Sequence, residues 1–185
     1  MRKIGWVGIV GAVLLAAACG MEVDFKSASA ASGGDGVPTL FEFKTLVGVP
    51  RPYTGAANAI RGVPGGGLPW VLTAGKAELD ANGHLQIEVD GLVLDPNDAG
   101  VPVQNRGVNP VANFRAIVSC LTKDASGAAA TQNVTTDLFP ATTGPASAGG
   151  GDSVIEADIV LPSPCIAPIV FVTNPNGAWF AASGF

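Results

Sequence analysis

Histidine is almost missing from this chain: His84 is the only one in 185 residues, which also hold a single tyrosine, Tyr53. A Ser-His-Asp or Cys-His catalytic system would have to be built on that one imidazole. It stands next to Asn82-Gly83 on the polar side of an alternating stretch, with Gln86 and Glu88, which is the position of a solvated hairpin residue. Cysteine is scarce too, with three copies and no Cys-x-x-Cys pair, so transition-metal sites of the usual types are poorly supplied. No metal and no other cofactor is expected. Charged residues make up 14% of the chain against a typical share of about 25%, which excludes a disordered polyelectrolyte. The formal charge of −5 comes without any cluster of Lys or Arg, and that argues against nucleic acid and anionic lipid headgroups as partners. Phosphate cradles are also missing. Neither Gly65-Gly66-Gly67 nor Gly149-Gly150-Gly151 is followed by Lys-Ser/Thr or by a helical pattern.

What is present is apolar material cut into short pieces. Hydrophobic residues make up 48% of the chain, interrupted by 25 Gly and 14 Pro. The length suits one ordinary domain.

The first stretch fixes the compartment. Arg2 and Lys3 are followed by an apolar run from Ile4 to Ala18, and the run ends in small residues before Cys19. A positive start, an apolar stretch of about 15 residues and a small-residue end form the pattern of a secretory signal. The run is shorter than the roughly 20 residues of a relaxed membrane span. Leu14-Leu15-Ala16-Ala17-Ala18-Cys19 resembles the lipobox of bacterial lipoproteins, where an apolar residue and two small ones precede a cysteine that receives diacylglyceryl. The resemblance implies that Cys19 becomes the lipidated first residue of the mature chain. Membrane attachment, at a periplasmic or extracellular face, then comes through that lipid. Ala16 stands where the motif usually has Leu. Ala16-x-Ala18 and Ala28-x-Ala30 also fit ordinary signal-peptidase sites, which would release the chain, and an uncleaved anchor is the third alternative. The sequence thus predicts a signal peptide over 1–18, a Ser/Ala/Gly-rich tether over 19–37 and a domain over 38–185. Losing Arg2 and Lys3 takes the formal charge of the exported part from −5 to −7 (−5 − 2).

With Cys19 assigned to lipid, Cys120 and Cys165 remain as an even pair in an oxidising compartment. A disulfide between them closes a loop of about 46 residues, worth roughly 4 kcal/mol in the chain-entropy model. A free nucleophilic or metal-binding thiol is the alternative.

Past Pro38 the periodicity is that of strands. Candidate strands are Thr39–Val47, Asn58–Val63, the hairpin around Asn82-Gly83, Asn113–Leu121, Asn133–Phe139, Val154–Leu161, Ile169–Thr173 and Trp179–Ala182. In the hairpin, Ala77 and Leu79 alternate with Glu78 and Asp80, and Leu85, Ile87 and Val89 alternate with His84, Gln86, Glu88 and Asp90. Period-two alternation flanking Asn-Gly is a strong hairpin signal, with one face buried and the other wet and acidic. In Asn113–Leu121, Phe114, Ala116, Val118 and Cys120 share one face while Ile117 and Leu121 make the other partly apolar, which suits a central strand covered on both sides. Asp95–Pro110 reads as a long loop. Roughly 8–10 short strands between Gly/Pro turns, without an amphipathic helix, predict an all-β, antiparallel β-sandwich of Ig-like or Greek-key type with one disulfide. The hairpin from Gly75 to Leu92 resembles the opening hairpin of the CHRD domain and its copper-zinc superoxide dismutase-like relatives. The His-x-His motif that follows in those proteins is absent here, so the resemblance implies a sandwich and no activity.

Three groups of residues are candidate sites. Asp95, Asn97 and Asp98 lie in a loop, Asp95-Pro-Asn-Asp-Ala-Gly100, that matches the first, third and sixth places of a calcium loop. Its fifth and twelfth places, Ala99 and Arg106, exclude an EF-hand, and an Asx-rich turn is the reading preferred over a looser calcium site. The carboxylate pairs Glu78/Asp80, Glu88/Asp90 and Glu156/Asp158 are each at i, i+2, on one face of a strand. Glycoside hydrolysis would need two such groups facing across a cleft. For Tyr53, Trp70 and Trp179, with Phe180, core packing is the default reading; exposed together they would instead stack on a sugar or dock a cell-surface protein. The shortage of catalytic groups favours a non-catalytic binding or envelope-structural module, and a carbohydrate-binding unit or carboxylate-based secreted hydrolase is the alternative.

Overall fold

The computed structural model describes residues 37–183; the leader, Cys19 and the tether up to residue 36 lie outside the described residues. In chain order the first seven strands are β1 (Thr39–Phe43), β2 (Leu46–Gly48), β3 (Trp70–Val71), β4 (Ala74–Asp80), β5 (His84–Asp90), β6 (Val93–Leu94) and β7 (Val108–Asn109). The others are β8 (Asn113–Lys123), β9 (Ala129–Thr135), β10 (Phe139–Pro140), β11 (Gly144–Pro145), β12 (Ser153–Asp158), β13 (Ile166–Thr173) and β14 (Trp179–Ser183). Eight of these have five residues or more, and no α-helix occurs among the described residues.

All pairings between the named strands are antiparallel. One sheet has the order β1-β4-β5-β12. The other runs β8-β13-β14-β2, with β9 and then β10 along the free side of β8. Alternation explains how the two sheets meet. Leu79, Leu85, Ile87 and Ile155 on one face of the first sheet are fully buried, as are Phe114, Ala116, Val118, Val170 and Val172 on one face of the second. Each large aliphatic side chain removed from water this way contributes about 1.5–3 kcal/mol. Leu46 of β2 lies against Gly75 of β4, where even a Cβ would sit 2.5 Å from the Leu46 side chain. The result is a sandwich-like all-β fold around one continuous core. Cys120 and Cys165 are bonded, with Cα atoms 4.9 Å apart, tying β8 to the start of β13.

The β4–β5 hairpin turns through three residues. Asp80 accepts the Gly83 N–H on its carbonyl and the Asn82 and His84 N–H groups on Oδ1, at 2.8 and 2.9 Å. Gly83 has φ +92°, and a Cβ there would stand 1.9 Å from the Ile159 carbonyl oxygen. Only glycine meets both conditions.

Three strand expectations need correction, the last being Asn133–Phe139, which splits between the end of β9 at Thr135 and the start of β10 at Phe139. Thr39–Val47 is not one strand: it breaks at Lys44-Thr45 and passes from the first sheet (β1) to the second (β2). Asn58–Val63 is not a strand either. Arg61 has φ +50°, so the chain reverses there and keeps a single bridge, Ile60 to Val63. The whole connection from Pro50 to Pro69 folds over the second sheet. Pro64 and Gly66 bond to the Trp179 backbone, and Arg61 Nη1 donates to the carbonyls of Ser119 and Ala167 at 2.9 and 2.8 Å. Under this cover Phe171, Ser119 and Thr173 are fully buried although they point away from the sandwich interior.

Candidate functional site: the bare face of the four-stranded sheet

The first sheet has no such cover. Its strand registers place Glu42 beside Glu78, Glu78 beside Gln86, and Gln86 beside Glu156, so four polar side chains form a row across all four strands. Directly opposed residues of antiparallel strands have Cβ atoms about 4.5–5.5 Å apart. A neighbouring row sets Lys76 beside Glu88, and Lys76 Nζ meets Glu88 Oε2 at 2.8 Å. That hydrogen bond, then the charge attraction, holds the Lys76 ammonium above its ordinary pKa. A third row sets His84 beside Asp158, with Nδ1 and Oδ1 2.9 Å apart. The hydrogen bond to Asp158 raises the His84 pKa, against a smaller desolvation effect that lowers it. Thr39 Oγ1 donates to Glu78 Oε1 at 2.9 Å. Between β1, β4 and β5 lies an open depression of about 480 Å³ lined by Glu42, Lys44, Lys76, Glu78, Gln86 and Glu88. Six carboxylates (Glu42, Glu78, Glu88, Asp90, Glu156, Asp158) against Lys44 and Lys76 give this face a formal charge of −4 (2 − 6) with His84 neutral.

Of the carboxylate pairs, the structure brings Glu78, Glu88 and Glu156 into one array. Asp80 leaves it, because its carboxylate is committed to the hairpin turn. All the acids stand on one wall, side by side, so none faces another across a cleft as glycoside hydrolysis requires. The array can attract cationic or hydrogen-bonding groups; it is not arranged for paired acid–base chemistry. Glu42, Lys44 and Gln86 were missed as site residues. Alternation marks them as outward-facing, but nothing local aligns Glu42 with Glu156.

Burial decides between the two readings of the aromatics in favour of core packing for both tryptophans. Trp70 is 4% exposed, with its ring stacked 3.8 Å from that of Phe180. Trp179 is 3% exposed and packs against Phe171 beneath the Pro50–Pro69 cover. Neither offers a stacking face, and Phe180 is 4% exposed too, so both sides of β14 are covered. Tyr53 alone is exposed, at 42%.

The Asp95–Gly100 loop takes the Asx-turn form, and a neighbour occupies its acid. Arg51 Nε and Nη2 bond Asp98 Oδ2 and Oδ1 at 2.8 and 3.1 Å, so a guanidinium stands where a cation would. That hydrogen bonding raises the Arg51 pKa and lowers that of Asp98. Asp95 Oδ1 accepts the Asn97 N–H and Asp98 Oδ1 the Gly100 N–H, both at 2.8 Å. These are Asx turns, and no group of three or more His, Cys, Asp or Glu side chains placed to hold a metal occurs among the described residues. A second depression, about 360 Å³, lies beside them between β2 and β3, lined by Val47, Pro50 and Leu72 among others.

No protein-family model, no curated protein and no solved structure matches the chain.

Proposed function

We propose that this is an exported protein held to a membrane by a lipid on Cys19, carrying a non-catalytic binding or envelope-structural module whose contact surface is the bare face of the four-stranded sheet. The observation that carries the reading is the one-sided array of Glu42, Glu78, Gln86 and Glu156, fixed by strand register and open to solvent over its whole width. An enzyme of the carboxylate type needs opposed groups, and a glycan platform needs exposed aromatic faces. The array has neither, and Trp70 and Trp179 are spent on packing. The lipid anchor is supported by the leader pattern and by the pairing of Cys120 with Cys165, which leaves Cys19 as the remaining cysteine.

The test is the mass of the mature N-terminal peptide recovered from membranes. A diacyl- or triacyl-modified Cys19 is the expected result. An unmodified start at Cys19 or at Ala31 would overturn the anchor.

A further inference from the structure

β9 is an open edge of the second sheet: β8 pairs with one side of it, and no described strand pairs with the other. The ladder decides which backbone groups look outward. The Thr136 N–H donates to the Ala116 carbonyl and the Asp124 N–H to the Ala128 carbonyl, so the even-numbered residues of β9 bond to β8. Alternation turns the N–H and C=O groups of Ala129, Thr131, Asn133 and Thr135 to the free side. No bond reaches those groups from any described residue. Asn133 is engaged only through its side chain, whose Nδ2 donates to the Arg61 carbonyl at 3.1 Å.

An exposed strand edge is a template for further pairing, and proteins blunt such edges with charge, proline, bulges or shortness. The other edges of the two main sheets are blunted. β1 carries Glu42 and a bulge between Thr39 and Phe41, and β12 carries Glu156 and Asp158. β2 has three residues, and β10 has two, one of them Pro140. β9 has none of these devices. Its seven residues, Ala-Ala-Thr-Gln-Asn-Val-Thr, hold no charge, proline, glycine or bulge.

We propose that β9 is a self-association edge, on which a second copy of this chain pairs β9 to β9 in antiparallel fashion. An uncharged strand read in the opposite direction is its own complement. A two-fold axis at Gln132 sets Ala129 opposite Thr135 and Thr131 opposite Asn133 of the second copy, so all four outward residues of each strand find partners. The flanking charges match as well. Lys123, opposite Ala129 on β8, and Asp137, just past Thr135, are exposed and form no ion pair among the described residues. Antiparallel pairing brings the Lys123 end of each copy to the Asp137 end of the other. The nearby Asp124 carboxylate is already committed to the Ser126 and Ala128 N–H groups of its own turn. Because the axis stands perpendicular to the joined sheet, both four-stranded sheets lie on the same side of it and turn their bare faces the same way. The pairing itself depends neither on the role given to that face nor on the lipid. One strand pair is a small interface, so the dimer is weak in dilute solution.

Full-length chains carrying Ala129→Cys or Thr135→Cys, mixed and mildly oxidised, test it. Both positions are exposed. In this register, position 129 of one copy lies about 5.5 Å by Cα from position 135 of the other, within disulfide reach. Two copies of the same position lie about 20 Å apart. The cross-link is read by mass as a peptide pair joining 129 to 135, which keeps Cys19 out of the measurement. A 129–135 link in the mixture, with about tenfold less self-linking in either variant alone, is the expected result. Thr131→Pro added to both chains removes an outward N–H and spares the bonds to β8. It is expected to bring the link down to the single-variant level with the far-ultraviolet spectrum of the monomer unchanged. No 129–135 link in the mixture, equal self-linking of the single variants, or a link that survives Thr131→Pro overturns the pairing.

Discussion

The outward faces of the two sheets carry opposite solutions to the same geometry. On the first sheet, every second residue of β5 (His84, Gln86, Glu88, Asp90) is polar and meets water, while the residues between them are buried. On the second, β13 is buried on both sides at Phe171 and Val172 because the Pro50–Pro69 connection lies over it. A sheet face left bare must be polar and can be a contact surface. A face that is covered becomes a second core and is lost to function. Trp179 ends under that cover and Trp70 in the sandwich interior, so neither presents a stacking face.

The largest effect that would sharpen this contrast comes from truncating each outward face. Phe171→Ala is expected to cost about 3–5 kcal/mol, as for a buried core aromatic. Gln86→Ala, on the bare outward face of β5, is expected to stay within about 0.5 kcal/mol. Urea midpoints of the two variants decide it, and similar losses would break the distinction.

A smaller effect tests the cover itself. At Gly65 an added Cβ would stand 1.9 Å from the Tyr53 carbonyl oxygen, while at Gly67 nothing lies within 4 Å. Gly65→Ala is expected to lose about 1–3 kcal/mol by forcing the backbone apart. Gly67→Ala should change thermal stability by no more than about 0.5 kcal/mol. If both alanines are tolerated, the connection is not packed as described.

The smallest effect belongs to the bare face. Because Asp158 raises the folded-state pKa of His84, the pair contributes stability fully below the unfolded value near 6.5, and loses it as pH rises through the folded pKa. Side chains 45% and 89% exposed are strongly screened, so the contribution is only a few tenths of a kcal/mol. Denaturation of wild type and His84→Gln at pH 5 and pH 8 should show a gap at the lower pH alone. A gap that widens with pH reverses the sign and refutes the pairing.

Much of the first sheet was legible in the sequence, because alternation and an Asn-Gly turn are local. His84 to Asp90 could be assigned face by face before any partner strand was known. The double burial of β8 from Ala116 to Cys120 was legible for the same reason, its second apolar face being written into consecutive residues, although Leu121 at the end of that face is exposed. The covering connection was not. Its contacts join Arg61 to Ser119 and Ala167, residues 58 and 106 positions away, and Gly/Pro-rich sequence looks the same whether it packs or floats. The site was half legible for a related reason. Glu78, Glu88 and Glu156 were visible as outward carboxylates, but their alignment with Glu42 depends on register between strands far apart in the chain. Arg51 was invisible as the partner that closes the Asp98 loop.

The break at Lys44-Thr45 has a mechanical side. Within ten residues of entering the domain, the chain pairs first with β4 and then, as β2, with β14, so it is stitched into both sheets. A pull on residue 37 along the axis of β1 loads that strand's ladder in shear, with its hydrogen bonds sharing the force instead of opening one by one. Whatever gives way first, the next grip is already in the other sheet. A load applied at the N-terminal end of the domain is thereby shared by both sheets at the point where it arrives.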